Sequence, residues 1–379
     1  MPAYFPATKW GGPIYSVHAM CGAVVGRSLA QVKVLASDAA SSRLDDVVRP
    51  ANNPTEFAVG YEVFYCRRIF LASFSPELCR RLPALVRWAD VVHLTGVYSF
   101  PTVPTLLACL LLRKPLLWSP RGSFYRWKGA RRTIPKAAWN WLCKRILPGR
   151  CEVHCTSEKE VLESHHSMPG LPTVVIPNGV DVSDGTTERP ARTTSRTLRV
   201  IYLGLISPVK ALDRLIEAMD ILGPGYELIV YGAAAPGYEG YEARVRAMAQ
   251  TLGRSATISF HGFVSGQEKE FALRDADVLV VPSHSENFSN VVCEALAVAL
   301  PVIVSKGAPW QEIEARGCGI WTENSPQSLA AAIERLRGMD RVSMGARGKE
   351  WMREKYSWGA VAQSFADVYR RLVFLGTRK

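Results

Sequence analysis

The segment from Val278 to Ala297 holds the densest chemistry in the chain. Glu286 and Glu294 stand eight residues apart, with Asn287, Phe288, Ser289 and Asn290 between them. A strand is expected to end near Val281. A polar loop follows, and an apolar helical run starts near Asn290, with Ser289 placed to cap it. The start of such a helix offers backbone N–H groups and the positive end of a dipole, so a phosphate fits there without a dedicated side chain. Glu286 in the loop and Glu294 one turn into the helix can then accept hydrogen bonds from hydroxyl groups beside that phosphate. The same two residues also read as a solvated loop acid and an exposed helix acid, and spacing alone leaves both readings open.

Other positions suit an anion as well. Arg121 lies in Trp118-Ser119-Pro120-Arg121-Gly122, at the end of an apolar run. A fixed guanidinium there could serve a phosphate, or it could be an ordinary surface ion-pair residue. Gly11-Gly12 lets the backbone approach a phosphate closely, or makes a plain turn. His284, two residues before Glu286, is a further candidate contact. No His/Asp/Glu cluster has metal-ligand spacing, so no metal requirement is expected.

These residues need elements to carry them. Short apolar runs alternate with helical patterns at Val32–Ala36, Val63–Tyr65, Val91–Leu94, Leu116–Trp118, Val153–Cys155 and Val174–Ile176. They resume at Val200–Leu203, Leu228–Tyr231, Thr257–Phe260, Val278–Val281 and Val302–Val304. Continuous apolar runs suggest strands buried on both faces, and their alternation with helices suggests βαβ units and parallel sheets. Asp181–Arg196 has no apolar period and reads as a linker. The expected architecture is α/β, with two doubly wound domains facing a cleft and ligands beyond the carboxyl ends of the strands. The boundaries follow as 1–185, 186–357 and a final helix over 358–379. A loop-like stretch, Tyr4–Pro13, stands where such a domain opens with a strand, so the first strand is expected to be missing.

Composition agrees with a globular chain. At 379 residues, two domains is the natural division. The apolar fraction of 48% and charged fraction of 21% argue against wholesale disorder. No secretory signal is read at the start, and the longest apolar stretch, Val103 to Leu112, is about half of a bilayer span. The nine cysteines include no CxxC pair, and Cys151 and Cys155 lack partners for a zinc site. Free, buried thiols are the expectation. Net charge is +12, with +9 in residues 1–185 and +3 in the rest, so the first half is the candidate for meeting something anionic.

Glu286 and Glu294 match the E-x7-E motif of retaining glycosyltransferases with the GT-B fold, and their surroundings resemble the family 4 (group 1) type. Gly11-Gly12-Pro13 resembles that family's first glycine loop, and Pro177-Asn178-Gly179-Val180-Asp181 its interdomain signature. Leu203-Gly204 through Lys210 resembles the first loop of the donor domain, and His261-Gly262-Phe263-Val264 its nucleobase strand. The resemblance implies a UDP- or GDP-sugar donor, with no other cofactor. Glu294 would take the ribose hydroxyls and Glu286 the donor sugar. The N–H groups of Phe288, Ser289 and Asn290, helped by Asn287, would hold the diphosphate, with Gly204, Val264, Gly11 and Gly12 also in the donor site. Lys210, with Arg121, would neutralise the leaving diphosphate in place of a metal. The chain departs from the family at three points. Leu205 stands where an arginine often follows the glycine, Ala211 where a glycine usually follows the lysine, and Ala299 where a glycine is expected before the Pro301 strand.

Arg121–Arg150 carries nine Lys/Arg and no Asp or Glu, with Phe124, Tyr125, Trp127, Trp139 and Trp141 interleaved. A helix over Thr133–Leu147 would align Ile134, Ala138, Trp141, Leu142 and Ile146. Such a segment suits an anionic membrane surface, or is a packed helix with a basic edge. No nucleic-acid module is present. After Tyr356-Ser357-Trp358 an amphipathic helix is expected, and the resemblance implies that it packs on the first domain. The resulting expectation is a cytoplasmic, peripherally membrane-bound, metal-independent retaining hexosyltransferase acting on a lipid-linked or glycan acceptor in bacterial exopolysaccharide or lipopolysaccharide synthesis. The alternative is a catalytically weakened GT-B protein that binds nucleotide or glycan as an assembly partner. A sugar-nucleotide epimerase would leave the basic, aromatic patch unexplained.

Overall fold

A computed structural model describes residues 1–7, 10–41, 43–50, 52–57, 60–70, 73–124, 133–182, 197–252 and 256–374, with backbone only at 133–135. The chain divides into two units, Met1–Gly179 with Trp358–Lys379, and Val180–Ser357. Most of the expected linker, and the expected boundary at 185, lie outside the described residues.

The first unit runs α1 (Gly12–Gly26), β1 (Lys33–Ser37), β2 (Thr55–Phe57), β3 (Tyr61–Cys66), α2 (Pro76–Trp88), β4 (Val92–Thr95), α3 (Thr102–Leu111), β5 (Leu116–Ser119), α4 (Thr133–Arg145), β6 (Cys151–Cys155), α5 (Glu158–Ser167) and β7 (Thr173–Val175). Its strands form two sheets, ordered β1-β3-β2 and β4-β5-β6-β7. β5 and β6 are buried at every residue, as strands covered on both faces must be. β2 is a three-residue antiparallel edge beside β3 that no apolar run announces.

The second unit follows with β8 (Leu198–Leu203), α6 (Leu212–Leu222), β9 (Tyr226–Tyr231), α7 (Glu239–Leu252), β10 (Thr257–Gly262), α8 (Gly266–Asp275), β11 (Val278–Val281), α9 (Asn290–Ala297), β12 (Val302–Ser305), α10 (Glu312–Ala315), β13 (Gly319–Thr322), α11 (Pro326–Arg337) and α12 (Arg341–Trp351). The sheet is parallel throughout, in the order β10-β9-β8-β11-β12-β13. This is a doubly wound sheet whose strand order reverses between β8 and β11, and ligands in such sheets sit beyond the strand ends at that reversal.

The last helix, α13 (Trp358–Phe374), belongs to the first unit. Its Val361, Ala362, Phe365 and Val368 join Val17, Met20, Val34 and Val63 in one apolar core. Gly179 is fixed by this packing, because a Cβ there would lie 2.4 Å from the Trp358 ring. All nine cysteines are free, and all but Cys79 are buried. Among the described residues no helix is long and apolar enough to cross a membrane.

Candidate functional site

Two loops meet at the strand reversal of the second unit. The first leaves β8 at Gly204, runs through a single 3-10 turn, Pro208–Lys210, and enters α6. The second leaves β11 at Val281 and enters α9. The His284 N–H donates to the Val209 carbonyl at 2.8 Å, tying the two together. A small cavity of about 30 Å³ remains between them, lined by Gly204, Lys210, Ser283, Glu286 and Val291.

Lys210 and Glu286 close this cavity. The Lys210 Nζ lies 2.7 Å from both carboxylate oxygens of Glu286, and the Ser283 hydroxyl donates to Oε1 at 2.7 Å. The Glu286 N–H donates to the Gly307 carbonyl at 3.1 Å. Tyr202 lies beneath, its hydroxyl donating to the Leu205 carbonyl at 2.9 Å. Burial first, and then the charge of Glu286, push the Tyr202 pKa well above its usual value, so it stays a neutral donor.

Glycines set the close approaches. A Cβ at Gly307 would come within 2.4 Å of the Ser283 carbonyl oxygen, and one at Gly232 within 1.9 Å of the Gly204 carbonyl oxygen. Ala211 and Ala299, the two positions where the resemblance calls for glycine, have φ of 50° and 60°. Left-handed backbone explains why glycine suits both sites, and alanine adopts it at a cost.

Ser289 also departs from expectation. It occupies the N-cap position of α9 with φ 73° and makes no side-chain cap. The left-handed turn aims the chain into the helix, so the hydroxyl cannot fold back as an extended N-cap residue would. Phe288 is buried, packing on Trp310 and Tyr356, and the Trp310 indole N–H donates to its carbonyl. Asn287 and Asn290 flank this pair in the same loop. Glu294 does not line the cavity. It sits in α9, paired at 2.7 Å with Lys269 of α8, an interaction the sequence did not indicate. Val264 follows β10, half-buried beside the exposed Phe263. His284 meets the Asn324 side chain at 2.8 Å.

Arg121, Gly11 and Gly12 lie in the first unit. Gly11, at φ 83°, precedes α1, and Gly12 is its first residue; a Cβ at Gly11 would meet nothing within 4 Å. Arg121 follows β5 with φ 54°, and its Nη1 donates to Asn178 Oδ1. Among the described residues its buried Nε has no partner and no carboxylate forms an ion pair with it. Burial lowers the Arg121 pKa, and the charge of Glu160 opposes this. Glu160 is itself buried, accepting from the N–H groups of Gly122 and Thr156 and from the Thr156 hydroxyl.

Behind Arg121 runs a chain of hydrogen bonds that sequence reasoning missed. Tyr369, His93, Ser119, His154 and the Ile176 carbonyl are linked in that order at 2.6–2.8 Å. The terminal carbonyl only accepts, so each histidine carries its proton on Nε2 and accepts on Nδ1. Burial and the nearby Arg121 charge drive both pKa values down, His93 to about 3 and His154 well below its usual value.

The basic segment is only partly described. Tyr125, Arg126, Trp127, Lys128, Arg131 and Arg132 lie outside the described residues, as does the Ile134 side chain. In α4, Cys143 and Asn140 face inward and the Trp139 N–H donates to the Val97 carbonyl. Ala138, Trp141, Leu142, Lys144 and Arg145 are exposed together, with the Arg145 guanidinium 4.9 Å from the Trp141 ring centre. Among the described residues no group of three His, Cys, Asp or Glu side chains could hold a metal ion.

The family model described as glycosyl transferases group 1 matches residues 186–351, and that described as glycosyltransferase family 4 matches residues 10–184. The chain is 28% identical over 242 residues to D-inositol 3-phosphate glycosyltransferase of Kineococcus radiotolerans, covering 57% of this chain and 55% of the relative. It thus spans about half the length of the curated relatives it matches. Sucrose-phosphate synthase from Thermosynechococcus elongatus superposes with a TM-score of 0.74 at 20% identity, over 96% of this chain and 94% of that one. Anabaena HepE, solved with UDP and glucose, gives 0.70 at 17% identity, over 94% and 96%. With both family models matching in order along residues 10–351, the chain belongs to the group 1 glycosyltransferases of family 4 type, with the GT-B fold.

Proposed function

We propose that the chain moves a sugar from a UDP- or GDP-linked donor to an acceptor hydroxyl with retention of configuration. The observation that carries this reading is the Lys210–Glu286 pair at the strand reversal of the second unit, beside the first turn of α9. The bond between the anomeric carbon and the diphosphate oxygen breaks, its electron pair leaving with the oxygen. The acceptor oxygen bonds to that carbon on the same face, and its proton passes to the departing diphosphate. Negative charge grows on the diphosphate as this happens, and Lys210 supplies the opposing charge with no metal required. Glu286 exchanges its lysine for hydroxyls of the donor sugar, and Glu294 binds the ribose. The loop Asn287–Asn290 and the start of α9 bind the phosphates, with Gly204 and Val264 on the donor. Arg121, Gly11 and Gly12 serve a phosphate of donor or acceptor.

HepE, solved with UDP and with UDP-glucose, supports a nucleotide-sugar partner. The exposed basic face of α4 supports an anionic membrane surface, a lipid-linked or glycan acceptor, and a peripheral location on the inner face of a bacterial membrane. The test is transfer from a panel of UDP- and GDP-sugars with and without EDTA. Glu286→Ala is expected to abolish transfer while the chain stays folded; unchanged transfer would refute the role.

Leu205 favours a second reading. It is 40% exposed where an arginine clamp often stands. A weakened protein would bind the nucleotide and release no product, which the same panel distinguishes.

A further inference from the structure

β5 ends at Ser119, and the chain turns at once. The Ser123 N–H donates to the Pro120 carbonyl at 3.1 Å, closing a turn with Arg121 and Gly122 at its centre. Both central residues are left-handed, with φ of 54° and 76°. This is the pattern of a type I′ turn, which glycine, asparagine and aspartate dominate. Gly122 suits it. Arg121 carries a Cβ that the left-handed region penalises, and it has no short polar side chain to bond locally. Such a residue stays there only where its surroundings hold it, and held strain of this kind gathers at ligand sites.

The hold comes from Glu160, 38 residues further along, in the first turn of α5. The Glu160 N–H donates to the Ser157 hydroxyl at 3.3 Å, so in sequence Ser157-x-x-Glu160 reads as a helix capping box. The carboxylate reaches further than a cap requires. It is 0% exposed, and its Oε1 accepts from the Gly122 N–H at 2.6 Å. Its Oε2 accepts from the Thr156 N–H at 2.7 Å and the Thr156 hydroxyl at 2.8 Å. The turn's own hydrogen bond uses the Ser123 N–H and leaves that of Gly122 to an outside acceptor. A carboxylate is the strongest acceptor the chain could place there.

This arrangement also leaves the arginine its charge. Arg121 Nη1 donates to the neutral Asn178 Oδ1, and its buried Nε has no partner. The charge of Glu160 favours the buried guanidinium, while its oxygens are taken by Gly122 and Thr156. A carboxylate forked directly onto Arg121 would occupy the N–H groups that a phosphate needs.

We propose that Glu160 is a positioning residue for sugar transfer: its grip on the Gly122 N–H locks the turn after β5, and the turn presents the Arg121 guanidinium to a phosphate of the donor or the acceptor. The role rests on Arg121 serving a phosphate in the proposed reaction.

Glu160→Gln keeps the side chain's shape but turns an amide N–H₂ toward one of its donors. Glu160→Asp keeps the charge and draws it back by one methylene. Both are compared with the full parent chain, with Arg121→Ala, and with the double variant Glu160→Gln/Arg121→Ala. Where Glu160→Gln does not fold, Glu160→Asp runs through the same cycle. The Gly122 amide is expected to exchange about tenfold or more faster in the Glu160 variants. Transfer from a UDP- or GDP-sugar is expected to fall about tenfold or more in Glu160→Gln and in Arg121→Ala. The double variant should be no more than about twofold worse than Arg121→Ala alone, because the two residues act as one unit. A merely structural role would instead multiply the two losses, and that result overturns the proposal. So does Gly122 exchange as slow as the parent's in both Glu160 variants. Transfer that survives Arg121→Ala has a different meaning: it removes Arg121 from the phosphate, and the positioning role falls with it. Calorimetry on Glu160→Gln identifies the phosphate. Weakened UDP or GDP binding supports the role on the donor, and unchanged binding with transfer lost supports it on the acceptor.

Discussion

Lys210 Nζ bridges both carboxylate oxygens of Glu286 at 2.7 Å, yet the two side chains are unequally placed, with the lysine 30% exposed and the glutamate 8%. Removing either partner therefore has different consequences. Lys210→Met leaves a buried carboxylate without its cation and is expected to cost about 2 kcal/mol, discounted for the lysine's exposure. Glu286→Gln keeps the shape and leaves a lysine that water can reach, at a cost of about 1 kcal/mol or less. Urea unfolding of the two variants should show this asymmetry, while calorimetry with UDP or GDP should show affinity falling tenfold or more only for Lys210→Met. Equal affinities would remove Lys210 from the diphosphate.

The glycine positions around the site predict effects of opposite sign. Gly307→Ala drives a Cβ to 2.4 Å from the Ser283 carbonyl oxygen, which cannot yield without moving the Glu286 loop. A loss of about 2–3 kcal/mol and of nucleotide binding is expected. Ala299→Gly relieves a left-handed alanine at φ 60° and is expected to gain up to about 1 kcal/mol, the strain released being partly offset by unfolded-chain entropy. Thermal unfolding of both variants checks the pair of signs.

The second unit was largely legible because burial on both faces leaves unbroken apolar runs. Val278–Val281 has the bounds its sequence suggests, and β9, β10 and β12 differ from their runs by two residues or fewer. β13 escaped because Gly319-Ile320-Trp321-Thr322 offers only two apolar residues at a sheet edge. The acids of the site were legible as types, and their partners were not. Lys210 and Glu286 are 76 residues apart, and they meet only because β8 and β11 are neighbours in the sheet. Glu294 and Lys269 meet because α8 and α9 bury Leu273 and Val292 in one apolar core, a relation no local period records. Ser289 failed as a cap because its backbone is left-handed, a conformation that its residue type does not announce.

His154 makes stability pH-dependent. Its folded pKa is held well below the ordinary 6.5, chiefly by burial. Below about 6.5 the unfolded chain takes up a proton that the native imidazole refuses, since its Nδ1 already accepts from Ser119. Its contribution is therefore complete above that pH and lost as pH falls, by about 1.4 kcal/mol per unit for this one site. His93, at about 3, acts in the same direction over the same window. Urea midpoints between pH 7.5 and 5 should fall less steeply for His154→Gln than for the parent chain, and parallel curves would exclude the residue as a source of the slope.

The outer face of α4 separates membrane contact from packing. Trp141 is 58% exposed and Leu142 38%, whereas Trp139 holds the Val97 carbonyl through its indole N–H. Replacing Trp141 and Leu142 together with serine removes surface that is in good part already in water, so unfolding free energy should fall by only about 1 kcal/mol. If this face rests on an anionic headgroup layer, the same change withdraws the groups that enter it while Lys144 and Arg145 keep only a screened attraction. Sedimentation with phosphatidylglycerol vesicles should then show binding reduced about tenfold or more, with the residual binding abolished by salt. Trp139→Ser is expected to give the converse, a loss of stability of about 2–3 kcal/mol, because it leaves a cavity and an unpaired carbonyl. Undiminished vesicle binding by the Trp141/Leu142 double variant would return α4 to the role of a packed helix with a basic edge.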